Sequence, residues 1–297
     1  MNKSSPKSRN SINPQVLIYI KNPKRHISPI GIFDSGIGGL TVLKEIVKKL
    51  PQYDYIYLGD NARAPYGTRS FETVYHYTLE CVKKLFDMNC HLVILACNTA
   101  SAKALRNIQQ LDLPKIAPQK RVLGVIRPTT EIAGKLTKTN HIGILGTTGT
   151  IRSNSYKIEI GKFYPEVKVT QHACPMWVPL VENNEMNSNG ADFFIKKDLE
   201  KLFFKNNKID TLILGCTHYP LLLKKIKKLI PKNITILSQG DIVANSLEAY
   251  LKRHPAIEKE ISKNKTIDYY TTDSPESFDS LANLFWKRGI HSKKVIL

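Results

Sequence analysis

Two stretches of this chain occur twice, and that repetition constrains the fold more than any other feature. IGIFDSGIGGL at 30–40 is echoed by IGILGTTGTI at 142–151: an apolar run, a turn of Gly, Ser and Thr, then a helix-like start. HLVILACNTA at 91–100 is echoed by DTLILGCTHYP at 210–220: an apolar run, a small residue, a cysteine and polar neighbours. Order and spacing agree, which marks an internal duplication of about 100 residues. The runs are short and rich in Val, Ile and Leu, as expected of strands buried on both faces of a parallel sheet.

The surrounding segments fit that reading. PIGIF at 29–33 leads to LTVLKEIVKKL, and DYIYLG at 54–59 leads to the polar loop DNARAPYGTRS. A helical stretch over 71–88 precedes LVILA at 92–96, and another helix runs from about 100 to 110. Alternation of this kind predicts βαβ units. The expected fold class is α/β: two similar doubly wound parallel-sheet domains related by pseudo-twofold symmetry, with the active site in the cleft between them. Residues 29–122 and 236–297 form the expected first domain and 123–235 the second, with LPKIAPQKR at 113–121 as a linker. The tail, with its strand-like TIDYYTT, is expected to return to the first domain.

Residues 1–28 carry six Lys or Arg and no acid, and read as a basic, disordered extension. Their apolar patch VLIYI, at 16–20, is shorter than the roughly 7–15 residues of a signal-peptide core. No apolar run approaches the roughly 20 residues needed to span a bilayer, so a cytoplasmic protein without membrane contact is expected. The net charge of +19 raises nucleic acid as a partner. Much of the lysine, however, alternates with apolar residues at helical spacing, as in LLLKKIKKLI at 221–230, which describes a solvated helix face. Without a nucleic-acid-binding motif, that partner is disfavoured. The five cysteines form no CxxC pair, which argues against a disulfide framework and a standard structural zinc site.

In open parallel sheets, ligands bind beyond the carboxyl ends of the strands. The polar clusters Asp34-Ser35, Pro65-Tyr66-Gly67, Cys97-Asn98-Thr99 and Cys216-Thr217-His218 all follow such ends. If the duplicated halves face each other, Cys97 and Cys216 stand on opposite walls of one cleft. One thiolate can then remove a proton from a carbon while the other thiol protonates the opposite face, inverting the stereocentre. Helix N-termini, expected beside both cysteines, favour the thiolate. His218 is a candidate to share the proton of Cys216, Glu182 to orient His218, and Asp34 to accept a proton or orient an ammonium group. DSGIGG lacks the third glycine of a dinucleotide loop, and no GK[ST] follows a glycine loop. A zinc site on Cys97, Cys216 and His218 is conceivable in geometry but draws ligands from both domains. Cys81, Cys90 and Cys174 read as inert, small buried residues.

FDSGIGGLTV, PYG, ACNTAS and LGCTHYPLL together resemble the motif set of the glutamate racemases, in the aspartate/glutamate racemase superfamily, and PMWVPLVE at 175–182 looks like a fifth motif. The resemblance covers roughly 29–250. It implies an enzyme that needs no cofactor or metal, with Cys97 acting on D-glutamate and Cys216 on L-glutamate. It implies substrate contacts from Asp34, Ser35, Tyr66, Gly67, Asn98, Thr99, Thr217 and His218. Asn98, Thr99 and Thr217 would surround the amino-acid end, and Ser35 with the Tyr66-Gly67 backbone would hold the distal carboxylate. Thr147 and Thr150 would add contacts from the second domain. It further implies glutamate as the small-molecule partner, D-glutamate for bacterial peptidoglycan, and a homodimer. GVIRPTTE at 124–131 departs from the family pattern. The alternatives are a relative acting on aspartate, a hydantoin or another small acid, and a basic nucleic-acid-binding protein.

Overall fold

The computed structural model describes residues 28–286 and 289–297. The expected extension therefore lies outside the described residues except for Ser28, which is buried and bridges to Ile261.

The strands and their main flanking helices run in the order β1 (Ile30–Asp34), α1 (Leu40–Lys49), β2 (Tyr55–Gly59), α2 (Phe71–Asp87), β3 (Leu92–Leu95), α3 (Asn98–Lys103) and β4 (Arg121–Gly124). They continue as α4 (Ile126–Leu136), β5 (His141–Gly146), α5 (Thr148–Arg152), α6 (Ser155–Phe163), β6 (Lys168–Ala173), α7 (Trp177–Glu182) and α8 (Asn189–Lys205). The last are β7 (Thr211–Gly215), α9 (Leu223–Leu229), β8 (Thr235–Leu237), α10 (Gln239–Arg253), β9 (Ile267–Thr271), α11 (Pro275–Phe285) and β10 (Ser292–Lys294).

These strands build two wholly parallel sheets, ordered β10-β9-β2-β1-β3-β4 and β6-β5-β7-β8. The block β2-β1-β3-β4 matches β6-β5-β7-β8 strand for strand, so the duplication seen in the sequence is a duplication of topology. The chain changes sheets two residues later than expected in each direction. β4 runs to Gly124 against β3, and β8 runs to Leu237 against β7. LPKIAPQKR is thus not the crossing: its end, Arg121, already belongs to the first sheet. The tail returns as expected, β9 pairing with β2, and β10 adds an edge strand that the sequence reading lacked.

Both faces of each sheet are covered. Ile30, Ile32, Tyr55, Tyr57, Leu92 and Ile94 face one apolar cluster, while Phe33, Ile56, Leu58, Val93 and Leu95 face another with Val74, Val82 and Leu85 of α2. The strict alternation follows from the two-residue period of a strand. The first cluster continues into the second sheet through Leu145, Leu212 and Leu214. Each such side chain contributes about 1.5–3 kcal/mol on burial, so the two sheets share a core.

Helix starts are set by the chain's small polar residues. Ser70, Thr147 and Ser188 each accept a hydrogen bond from the backbone N–H three residues on. Among the described residues, no helix is long and apolar enough to cross a membrane.

Candidate active site

The carboxyl ends of the two sheets face one cavity of about 130 Å³. Six strands supply its walls. Ser35 follows β1, the Ala64–Thr68 loop follows β2, and Cys97, Asn98 and Thr99 follow β3. From the other sheet, Thr147 and Thr148 follow β5, Cys174 and α7 follow β6, and Cys216, Thr217 and His218 follow β7.

Cys97 and Cys216 are 5% and 6% exposed, and occupy the corresponding ends of β3 and β7. The Cys97 thiol donates to Ser35 Oγ at 3.3 Å and accepts from the Ala100 N–H at 3.4 Å, so it caps α3. Burial, reinforced by the nearby Asp34, pushes the Cys97 pKa up to about 12. That reverses the expected lowering: one distant backbone N–H does not offset loss of water and an adjacent acid. Cys216, unlike Cys97, does not stand at the start of an α-helix. It precedes a single 3₁₀ turn, Tyr219–Leu222, that includes Pro220.

His218 joins Cys216 to Glu182. Its Nδ1 lies 3.8 Å from Cys216 Sγ and its Nε2 lies 3.0 Å from Glu182 Oε1. Thr99, Thr147 and Thr150 form a triangle of hydroxyls across the cleft, with Thr99 Oγ1 2.9 Å from Thr147 Oγ1 and 3.3 Å from Thr150 Oγ1. The loop bearing Tyr66 meets the second domain at α5, where the Gly149 N–H donates to the Gly67 carbonyl at 2.7 Å. A Cβ on Gly67 would fall 2.9 Å from the Thr147 Cβ, so this closeness requires glycine.

Of the residues expected to touch substrate, Ser35, Tyr66, Gly67, Asn98, Thr99, Thr217 and His218 line the cavity. Asp34 does not. It is wholly buried, its Oδ2 accepts from the Gly36 N–H at 3.0 Å, and burial raises its pKa against the pull of His218. Thr150 likewise stands behind Thr147 and Thr99 and is absent from the wall. Cys174, read as inert, does form part of the wall, with Val178, Pro179 and Glu182. The fifth motif, PMWVPLVE, was the signal for that face.

Behind Tyr66 stands a buried polar cluster that sequence reasoning missed. The Tyr66 hydroxyl donates to Asp60 Oδ2, Arg63 Nε donates to the same oxygen at 2.7 Å, and Thr272 Oγ1 donates to Oδ1 at 2.8 Å. Nothing in DNARAPYG distinguishes a buried Asp from a loop Asp. The divergent segment 124–131 opens α4: Arg127 pairs with Glu131 on the surface, while Thr129 and Thr130 are buried. Among the described residues, no group of three or more His, Cys, Asp or Glu is arranged to hold a metal ion.

Comparison with known proteins gives a consistent result. The sequence profile of the family described as Asp/Glu/hydantoin racemase matches residues 30–247. The chain is 42% identical over 257 residues to a glutamate racemase of Geobacter metallireducens, covering 86% of this chain and 92% of the relative. A solved glutamate racemase isoform from Bacillus anthracis superposes with a TM-score of 0.82 at 38% identity, covering 91% of this chain and 98% of that one. A glutamate racemase from Francisella tularensis, solved in complex with D-glutamate, gives 0.80 at 32% identity, with the same coverage.

Proposed function

The chain belongs to the Asp/Glu/hydantoin racemase family and is an amino-acid racemase, and from that premise we propose that it interconverts L- and D-glutamate by proton transfer between two thiols. The observation that carries this reading is the pairing of Cys97 and Cys216 at equivalent strand ends of duplicated sheets, on the wall of one cavity. The D-glutamate in the Francisella structure and the identity to named glutamate racemases support the choice of substrate.

In the proposed reaction, the Cys97 thiolate takes the Cα proton of D-glutamate, and the Cys216 thiol donates its own to the opposite face. The C–H bond broken on one side is replaced by one formed on the other, and the enzyme is left with thiol and thiolate exchanged. The L-to-D direction runs the same steps in reverse. A positioned acid or base of this kind contributes about 10²–10⁴-fold. The substrate's α-ammonium brings a positive charge beside the buried thiols, which favours the thiolate. Ser35 Oγ, as acceptor of the Cys97 S–H, sets the direction of that thiol. Asn98, Thr99 and Thr217 would hold the amino-acid end, and Ser35 with Tyr66 and Gly67 the distal carboxylate. His218 and Glu182 would serve Cys216, and Asp34 would act on Cys97 from behind the wall. Neither a metal nor an organic cofactor is needed. Cytoplasmic supply of D-glutamate to bacterial peptidoglycan, and a homodimeric enzyme, follow from the family resemblance.

The test is incubation of the purified protein with L- or D-glutamate in deuterated water without cofactor. Deuterium at Cα with appearance of the other enantiomer is expected. Folded protein that exchanges neither enantiomer would remove the assignment, and a Cys97→Ser, Cys216→Ser double variant racemising at the wild-type rate would remove the two-thiol step. Conversion of aspartate with none of glutamate would transfer the enzyme to another branch of the family.

A further inference from the structure

Asn98 lines the cavity, yet most of its hydrogen bonding is directed away from it. Its Nδ2 donates to Gln239 Oε1 at 2.6 Å, and its Oδ1 accepts from the Tyr156 hydroxyl at 2.6 Å. Gln239 Nε2 closes the ring by donating to the Tyr156 oxygen at 2.7 Å. The second N–H of the same Nε2 is shared between the Val125 carbonyl at 3.2 Å and Thr129 Oγ1 at 3.1 Å. All five residues are buried, so a mismatched pair here has no water to rescue it.

The polarity of this ring has one solution. A backbone carbonyl can only accept, so Gln239 must turn its Nε2 toward Val125 and its Oε1 toward Asn98. Asn98 must therefore offer its Nδ2 to Gln239, which leaves its Oδ1 facing Tyr156. The Tyr156 hydroxyl must then donate to Asn98 and accept from Gln239. Thr129 agrees, because its hydroxyl is spent on the Val125 carbonyl at 2.9 Å and its oxygen is left to accept. Asn98 keeps one N–H, and its amide cannot flip to put oxygen in that place without breaking the ring.

The residues come from separate parts of the fold. Asn98 opens α3 after the first sheet's β3, and Tyr156 lies on α6 of the second domain. Val125 and Thr129 belong to the crossing out of the first sheet, and Gln239 to the crossing back. The ring thus ties both interdomain crossings to a residue next to Cys97.

We propose that Gln239 and Tyr156 are positioning residues that lock Asn98 as a hydrogen-bond donor toward a carboxylate of the substrate. This rests on the reading of the cavity as a glutamate site. A donor there attracts a carboxylate oxygen, whereas a flipped amide would turn its own oxygen toward the anion. The contact exists in the bound ground state as well as at the transition state, so its loss is read in KM more than in kcat.

The experiment is steady-state racemisation of both glutamate enantiomers by wild type, Tyr156→Phe, Gln239→Met and Asn98→Ala, with circular dichroism melts for each. Tyr156→Phe removes one neutral hydrogen bond and should raise KM roughly fivefold, with Gln239→Met raising it further and kcat falling less than KM rises. Tyr156→Phe placed on Asn98→Ala should have no further effect, an outcome that a merely structural tyrosine would not produce. Folded Tyr156→Phe with unchanged KM overturns the proposal even if Gln239→Met fails to fold. An equal rise in KM on the Asn98→Ala background also overturns it. A wild-type protein that does not racemise glutamate removes the underlying reading instead, and with it the ligand.

Discussion

Nε2 of His218 lies 3.0 Å from Oε1 of Glu182. Burial alone would push the imidazole pKa down, but the bonds to Cys216 and Glu182 lift it to about 10. The contacts with Cys216 and Glu182 therefore favour the protonated imidazole, a charged donor beside one of the two thiols.

The sign of the resulting stability effect is fixed by linkage. A folded-state pKa raised above the ordinary 6.5 stabilises the protein fully below that value, and the contribution is lost as pH rises through about 10. Glu182→Gln removes the carboxylate charge from this pair and lowers the His218 pKa. The melting temperature of the wild type should fall between pH 6.5 and 10 more steeply than that of the variant. The basic limb of its kcat/KM profile should also shift to lower pH. Parallel melting curves across that window would refute the pairing.

Gly38 is a glycine for reasons of space. A Cβ there would overlap the Thr217 Oγ1 and the His218 ring, which belong to the other sheet's strand end. Gly38→Ala should cost about 1–3 kcal/mol through overpacking, seen as a lowered melting temperature. Because the displaced groups flank Cys216, racemisation should fall more than stability alone explains. Unchanged activity at a temperature where the variant is fully folded would show that the second strand end can retreat harmlessly.

These cases show what was legible in the sequence. Cys97 and Cys216 were readable because a buried apolar run that ends in a thiol and hydroxyls is locally inconsistent with a core, and because it happens twice. Thr99 and Thr217 came with them as neighbours in sequence, and Ser35 came from its own polar cluster at the end of β1. Asp34 was placed beside Cys97, but a strand end fixes the position of a residue and not which face its side chain takes, so its burial behind the wall was not legible. Gln239 and Tyr156 were invisible for another reason. A glutamine in the first turn of α10 and a tyrosine within α6 look ordinary, and only the folding together of two crossings makes them partners of Asn98. The partner of β9 was open for the same reason, since TIDYYTT specifies a strand but not the edge it joins.

The Asp60 cluster separates an ionic support from a neutral one. Asp60 is fully buried and receives Arg63, Tyr66 and Thr272 together. Arg63→Met strips the cation from a buried carboxylate, which typically costs about 3–5 kcal/mol. Tyr66→Phe removes a hydrogen bond to a charged group, about 1.5–3 kcal/mol. Urea unfolding should rank Arg63→Met as the more damaging, and the folded fraction of Tyr66→Phe should show a raised KM because Tyr66 lines the cavity. The reverse ranking would mean that Asp60 does not depend on Arg63 for its charge.

Asp34 sits behind Cys97 and, after burial, is the main reason its thiol is held up near 12. Replacing the carboxyl by an amide removes the adjacent negative charge while leaving an oxygen that can still accept the Gly36 N–H. The Cys97 pKa must then fall, because a like charge that opposed ionisation is gone. At fixed pH the variant therefore holds more thiolate at Cys97, and the thiolate is the species that reacts with alkylating agents. Asp34→Asn should accordingly raise the rate of Cys97 alkylation by a small reagent at pH 8, followed residue by residue by peptide mass mapping, and move its pH midpoint downward. Racemisation should not rise with it, because Asp34 is read as part of the proton path to that thiol. If Cys97 alkylates at the wild-type rate across the pH range, the Asp34 carboxyl is uncharged in the folded protein, and its place in the reaction is that of a neutral hydrogen-bonding group.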